Sequence, residues 1–149
     1  MHCLTTRYDV DLMIDLQDNN GNGTTWTYST FKVSGSNGNY CLKIGGGEGP
    51  PGGYDAMAFH NGMQFSTYNS DNDRSTGYNC ALGRQGGWWH DTTCFATGAF
   101  LTGPHTDSTK WNRLLWYLGQ GSDLGSYKYY HNVEMRIRPK SYAGVCEKL

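Results

Sequence analysis

Val10, Leu12, Ile14 and Leu16 alternate with Asp9, Asp11, Met13 and Asp15. A period of two predicts a strand with one buried and one wet face. Asp18-Asn19-Asn20-Gly21-Asn22-Gly23 follows, a turn composition, because Gly and Asn tolerate positive φ. Trp26 to Val33 reads as a second strand, Ser34 to Asn39 as a turn, and Tyr40, Leu42 and Ile44 as a third strand. The three predict an antiparallel meander. Met1-His2-Cys3 leads directly into what reads as strand-like sequence, Gly45 to Gly53 as a Gly/Pro loop, and Ala56 to Thr67 as mixed, ending in the apolar Met63–Phe65 stretch. From Tyr68 to about His105 no periodicity stands out. A loop of that length in a compact domain is functional or stapled.

Further on, Trp111, Leu114, Leu115 and Leu118 fit the spacing of one helix face, with Asp107 or Ser108 as its cap. Leu114 to Tyr117 fits a short buried strand equally well, and periodicity does not choose between them. Val133, Met135 and Ile137 alternate with Glu134, Arg136 and Arg138, a last strand ended by Pro139. The fold class expected is α+β, mainly antiparallel β with long irregular loops. The expected organisation is a single domain over 1–149: a β-sheet subdomain over 4–67, a loop subdomain over 68–132, and a final strand, 133–139, returning to the sheet.

Composition narrows the class. The chain has 149 residues, 21 of them Gly, with 14% aromatics and a net charge of −1. The aromatics argue against disorder, and the charge argues against a nucleic-acid partner. No apolar run approaches the ~20 residues that cross a bilayer. No secretory signal opens the chain, so a mature or partial product is expected. Five cysteines, at 3, 41, 80, 94 and 146, occur without a CxxC pair, which favours an oxidising, extracellular compartment over a zinc site. An odd count leaves one for a free thiol or a bridge to another chain. Cys3 and Cys146 lie at the ends, where such a bridge is easy; Cys41, within the third strand, reads as a buried thiol. Asn22-Gly23-Thr24 is an N-glycosylation sequon.

The strongest local chemistry is Asn69-Ser70-Asp71-Asn72-Asp73-Arg74-Ser75-Thr76-Gly77. Two carboxylates two residues apart in a loop can aim at one centre, and Ca2+ takes oxygen ligands from carboxylates, backbone carbonyls and water. Asp71 and Asp73 are the candidate side-chain ligands, with Ser75 and Thr76 or Gly77 supplying carbonyls. An EF-hand is excluded, because Arg74 stands where that loop needs Gly and Cys80 where it needs Glu. A solvated Asx-rich turn is the competing reading. A bridge between Cys80 and Cys94 would close a small loop and stabilise by roughly 3 kcal/mol; two unrelated buried thiols are the alternative. Trp88-Trp89 reads either as a sugar-stacking platform or as a pair split between core and loop. The five histidines form no HExxH and the serines no GxSxG, so the expectation is a binding domain, not an enzyme.

Phe65 to Asp73, Asn79-Cys80-Ala81, and Gly87-Trp88-Trp89 through Cys94 together resemble the C-terminal globular domain of fibrinogen, shared by ficolins, tachylectins and related lectins. Arg7–Leu16, Phe31-Lys32-Val33, Tyr40–Ile44, Phe59-His60-Asn61-Gly62-Met63 and Glu134–Pro139 match in order, so the likeness spans roughly 4–139. The resemblance implies a fold stapled by a Cys80–Cys94 disulfide and by Ca2+ on Asp71 and Asp73, with carbonyls of Ser75 and Gly77. It implies a secreted, oligomeric recognition module for glycans, acetylated groups or peptides. The family's N-terminal subdomain is not found before Met1. One residue is extra near Tyr78 and another between Trp89 and Cys94. At the positions of the acetyl pocket stand His90 and Phe95, with Trp111 in place of a small residue. His90, Phe95, Trp111, Tyr127 and Tyr129 are therefore the pocket candidates.

Overall fold

The alternating stretch over Val10–Leu16 is the centre of the molecule. The computed structural model describes residues 1–94, 98–103, 113–119 and 127–140. Its elements are α1 (His2–Arg7), β1 (Val10–Gln17), β2 (Gly23–Val33), β3 (Leu42–Glu48), α2 (Cys80–Arg84), β4 (Ala99–Phe100), β5 (Leu115–Tyr117), β6 (Tyr127–Tyr129) and β7 (Asn132–Pro139), with 3-10 turns at Ser36–Gly38 and Ala56–His60. One sheet runs β3-β2-β1-β7 and a smaller one β4-β5-β6. Every described strand pair is antiparallel. The turn between β1 and β2 is fixed by Asp18, whose carboxylate accepts the N–H groups of Asn20 and Asn22 at 3.0 and 2.9 Å.

The even-numbered apolar residues of β1 are buried, and Asp11, Met13 and Asp15 on the other face are half-buried. Trp26, Tyr28, Phe31 and Leu42 continue the same core face. Met57, Trp88, Trp89, Phe100 and Trp116 cover it from the loop half of the chain. Trp26 and Trp116 meet at 5.2 Å between ring centroids, and the Trp116 indole N–H donates to the Tyr54 carbonyl at 2.8 Å.

Four sequence expectations change. The opening residues form a helix rather than strand-like chain. Buried Thr5 accepts the Val33 N–H at 3.0 Å, and the His2 ring sits 2.8 Å from the Val33 carbonyl, so tertiary bonds to the end of β2 override weak local propensity. The loop assigned to Gly45 onward begins only after Glu48, because Gly45 and Gly47 pair with Thr30 and Tyr28. Glycine is needed there: a Cβ on Gly47 would strike the Asp55 carboxylate and the Tyr28 ring. Cys41 precedes β3 and is half-buried rather than buried within it. Both tryptophans of the Trp88-Trp89 pair are buried, so neither offers a stacking platform. Of the two readings around Leu114, the strand is the one adopted, with Leu115 opposite Phe100 and Tyr129. No described helix is long and apolar enough to cross a membrane.

Candidate functional site

The acidic loop is held at three points. The Asn72 amide donates from its backbone N–H to Ser66 Oγ and from its side chain to the Phe65 carbonyl, both at 2.9 Å. Asn79 caps α2 by accepting the Leu82 N–H at 2.8 Å and donates to the Thr67 carbonyl at 3.2 Å. The Cys80–Cys94 disulfide ties the start of α2 to the following loop across 5.1 Å between Cα atoms. Replacing Asn79 with alanine removes both bonds and is expected to cost about 1 kcal/mol. Urea unfolding checks this; an unchanged midpoint would mean that the cap does not hold α2.

Within the loop, the carboxylates are linked in series. Asp71 Oδ1 accepts the Asp73 N–H at 3.3 Å, and Asp73 accepts the N–H groups of Ser75 and Cys80 at 2.8 and 2.9 Å. Burial pushes the Asp73 carboxyl above its ordinary range; the two N–H donors pull it down, and the Asp71 charge beside it pushes it up again. Among the described residues neither Asp71 nor Asp73 forms an ion pair with a basic side chain. Two adjacent carboxylates, both hard oxygen donors and neither neutralised by such an ion pair, fit a cation of the Ca2+ kind. Gly77 sits at φ 80°, a left-handed turn that a side chain would resist. The Asp73 carboxylate also lies within 4.8 Å of the Cys80 and Cys94 sulfurs, but bridged sulfurs carry no thiolate charge and do not hold a hard cation.

Beyond the disulfide, the pocket candidates are placed unequally. His90 is buried: its Nε2–H donates to the Gly86 carbonyl at 3.2 Å, and its ring lies 5.6 Å from that of Phe100. Burial, with the neighbouring Arg84 and His60, pushes His90 down to about 4 against the Gly86 hydrogen bond. Tyr127 and Tyr129 stand half-buried on β6. Phe95 and Trp111 lie outside the described residues, as does Cys146. Asn22 is exposed in the β1–β2 turn.

Two residues central to this region were not singled out from sequence. Arg84 is 2% exposed, donates from Nε to the Cys94 carbonyl at 2.6 Å, and lies 5.2 Å from the Phe100 ring centre. Burial pulls it down to about 10, while the fields of Tyr127, Asp91, Tyr129 and Tyr78 act in the opposite sense. His60 lies 2.7 Å from the Trp89 carbonyl through Nδ1 and accepts the Ala99 N–H on Nε2 at 2.8 Å. That pairing fixes the neutral tautomer with its proton on Nδ1. Nothing local separates either residue from a surface Arg or His; only the closure of the loop half buries them.

A groove of about 500 Å³ lies on the wet face of the four-stranded sheet, with Asp11, Thr27, Ser29, Glu48 and Arg138 in its lining. Its charges are already occupied in part, since Arg138 reaches Asp11 at 3.2 Å.

The described residues thus build a four-stranded antiparallel sheet followed along the chain by a disulfide-stapled acidic loop. Comparison with known proteins agrees: residues 1–140 match the family described as fibrinogen beta and gamma chains, C-terminal globular domain. The chain belongs to that family. Human fibrinogen-like protein 1 is 35% identical over 153 residues, which cover 95% of this chain and 47% of that protein. Its bovine counterpart is 34% identical over 155 residues, with the same coverage. The chain thus spans about half the length of these relatives. The fibrinogen-like globe of human ANGPTL6 superposes with a TM-score of 0.77 at 30% identity, covering 94% of this chain and 61% of that one. The lamprey fibrin D-dimer, complexed with Gly-His-Arg-Pro-amide, has the same fold at a TM-score of 0.70 and 24% identity, covering 99% of this chain and 52% of that one.

Proposed function

We propose that this domain is a secreted, non-catalytic recognition module. In this reading Ca2+ bound by Asp71 and Asp73, with carbonyls of Ser75 and Gly77, organises the loop beside a pocket on the His90, Tyr127 and Tyr129 side, and the pocket binds glycans or acetylated groups. The observation that carries the reading is the Asp71–Asp73 pair: adjacent, oxygen-only, and on a loop pinned at both ends. Arg84 and His90 are buried against Phe100, which supports a site whose inner wall is fixed before a ligand arrives. The ion's part is positional, since carboxylates and carbonyls around Ca2+ order a loop without doing chemistry.

A glycan and peptide array probed in calcium and in chelator tests it. Binding to a sugar or acetylated class that chelator abolishes is the expected result. Glycan binding that is indifferent to chelator would remove calcium from the account.

A second reading, recognition of a peptide or a neighbouring subunit, rests on two observations. The lamprey relative of the same fold carries a tetrapeptide amide, and Cys3 is an exposed free thiol on α1. Signal confined to the peptide half of the array would favour it. A reducing against a non-reducing gel separates covalent assembly through Cys3 from peptide capture.

A further inference from the structure

The turn between β1 and β2 carries Asn22-Gly23-Thr24, and no other asparagine of the chain has Ser or Thr two positions on. An N-linked sugar is bulky and hydrated, so exposure and free space separate an acceptor from a chance tripeptide. Both are present here. Every residue from Asn19 to Gly23 is exposed. A Cβ built at Gly21 would meet nothing within 4 Å, and one at Gly23 only the Leu16 carbonyl oxygen at 3.7 Å. Thr24, which completes the motif, starts the ladder opposite Leu16 and is half-buried. The turn is also held in one shape. The Asp18 N–H donates to the Asn22 carbonyl at 2.9 Å, and Asp18 Oδ1 accepts the backbone N–H groups of Asn20 and Asn22. The Asp18 carboxylate is itself anchored by Lys128 of β6 at 3.1 Å. These bonds use the backbone of Asn22 and leave its side-chain amide with one long contact, 3.4 Å from Nδ2 to Asp18 Oδ2. An amide nitrogen bears two hydrogens, so substitution of one still leaves a donor for Asp18.

We propose that Asn22 is an N-glycosylation site, carrying an oligosaccharide at the tip of the β1–β2 hairpin. The donor is a lipid-linked pyrophosphate oligosaccharide of the secretory pathway, and a membrane-bound transferase of that pathway catalyses the exchange. Asn22 Nδ2 bonds to the anomeric carbon of the first N-acetylglucosamine and gives up one proton. The lipid pyrophosphate departs with the electron pair of the broken C–O bond. Because the sugar joins the chain before or during folding, the folded turn has only to leave room for the product. The modification rests on the secreted reading above, since the donor is met inside that pathway. It is separate from the calcium loop and the pocket: Asp71, Asp73, His90, Tyr127 and Tyr129 all lie outside the β1–β2 turn. A hydrated glycan at the hairpin tip keeps that end of the four-stranded sheet in water and out of any tight protein interface.

The test expresses the whole chain behind a cleavable leader in a eukaryotic cell and reads its intact mass before and after an N-glycan amidase. The digestion is run in heavy-oxygen water, so that spontaneous deamidation at Asn22-Gly23 is not counted as release of a sugar. The expected result is a chain heavier than the polypeptide by one oligosaccharide, which the amidase removes while leaving the heavy-oxygen label at position 22. Asn22→Gln should lose the glycan completely. It gives up only the 3.4 Å contact and keeps the backbone bonds of the turn, so the chain should still fold. Thr24→Ala leaves Asn22 in place but breaks the motif and should also lose the glycan, whereas Thr24→Ser keeps the hydroxyl and should retain it. A secreted chain of bare polypeptide mass overturns the proposal. So does a glycan that survives both Asn22→Gln and Thr24→Ala, for it is then attached elsewhere. A chain kept inside the cell with the glycan on Asn22 supports the site and counts against the secreted reading; one kept inside without it overturns the site, because the leader has already delivered it to the donor.

Discussion

Lowering the pH from about 6.5 to about 4 is expected to remove roughly 3 kcal/mol of stability through His90 alone. The ordinary pKa of a histidine is about 6.5, and burial holds His90 at about 4 in the folded protein. Over that interval the unfolded chain binds a proton that the folded one refuses. Stability is therefore complete above about pH 6.5 and declines as the pH falls, by about 1.4 kcal/mol per pH unit, until the folded-state value is reached. His60 acts in the same direction. Its burial lowers the pKa, and both ring nitrogens are already committed, one to the Trp89 carbonyl and one to the Ala99 N–H. A second proton would face a donor and break that bond.

The carboxylates that gain partners contribute lower on the scale. The Thr25 hydroxyl, with Arg136, holds Asp15 below its ordinary range, so its contribution is present above about pH 3.9 and is lost only as the pH falls through the folded value. The measurement is the urea midpoint at a series of pH values, in chelator so that no bound cation contributes. His90→Phe should make the profile shallower between pH 6.5 and 4, leaving the slope that His60 supplies, while lowering the plateau slightly for the lost Gly86 bond. A wild-type midpoint constant over that interval would show that neither histidine is held neutral.

The parts of the molecule legible in the sequence are those whose pattern images a face. β1 and β7 alternate because each has one core side and one wet side, and Asp11, Asp15, Glu134, Arg136 and Arg138 mark the wet side directly. β3 is legible only as far as Ile44. Beyond it Gly45 and Gly47 signal a turn on composition, and the reason for glycine there is a ring and a carboxylate brought up from Tyr28 and Asp55. α1 carries Thr5 and Thr6, poor helix formers, and is fixed by a residue 28 positions away. In the acidic loop the pair of carboxylates is visible, but the reach of Asp73 to the Cys80 N–H is not. His90 and Tyr127 were found by resemblance. Arg84 and His60 depend on closure of the loop half over the sheet, which no window of sequence contains.

That unseen bond alters what removal of Asp73 should do. Asp73→Ala leaves the Ser75 and Cys80 N–H groups without their acceptor, which costs about 1–3 kcal/mol when such donors are shielded from water. Asp73 lies in a partly buried position, so the lower end is expected in chelator. In calcium at a hundred times its dissociation constant a further loss of about 2.7 kcal/mol is expected, because the variant forfeits the ligand's stabilisation of the folded state. Asp71→Ala separates the two contributions. Asp71 is exposed and accepts a single long bond from the Asp73 N–H, so its removal should hardly move the melting temperature in chelator while abolishing the calcium-dependent increase. The two variants are melted side by side in both media. If each loses the same amount with and without calcium, the carboxylates are turn residues and nothing more. If Asp71→Ala loses stability only in calcium, and Asp73→Ala loses it in both but more in calcium, the pair holds the ion. Asp73 then links that ion through its backbone acceptor to the first residue of α2, and through the Cys80–Cys94 bridge to the loop that leads towards His90.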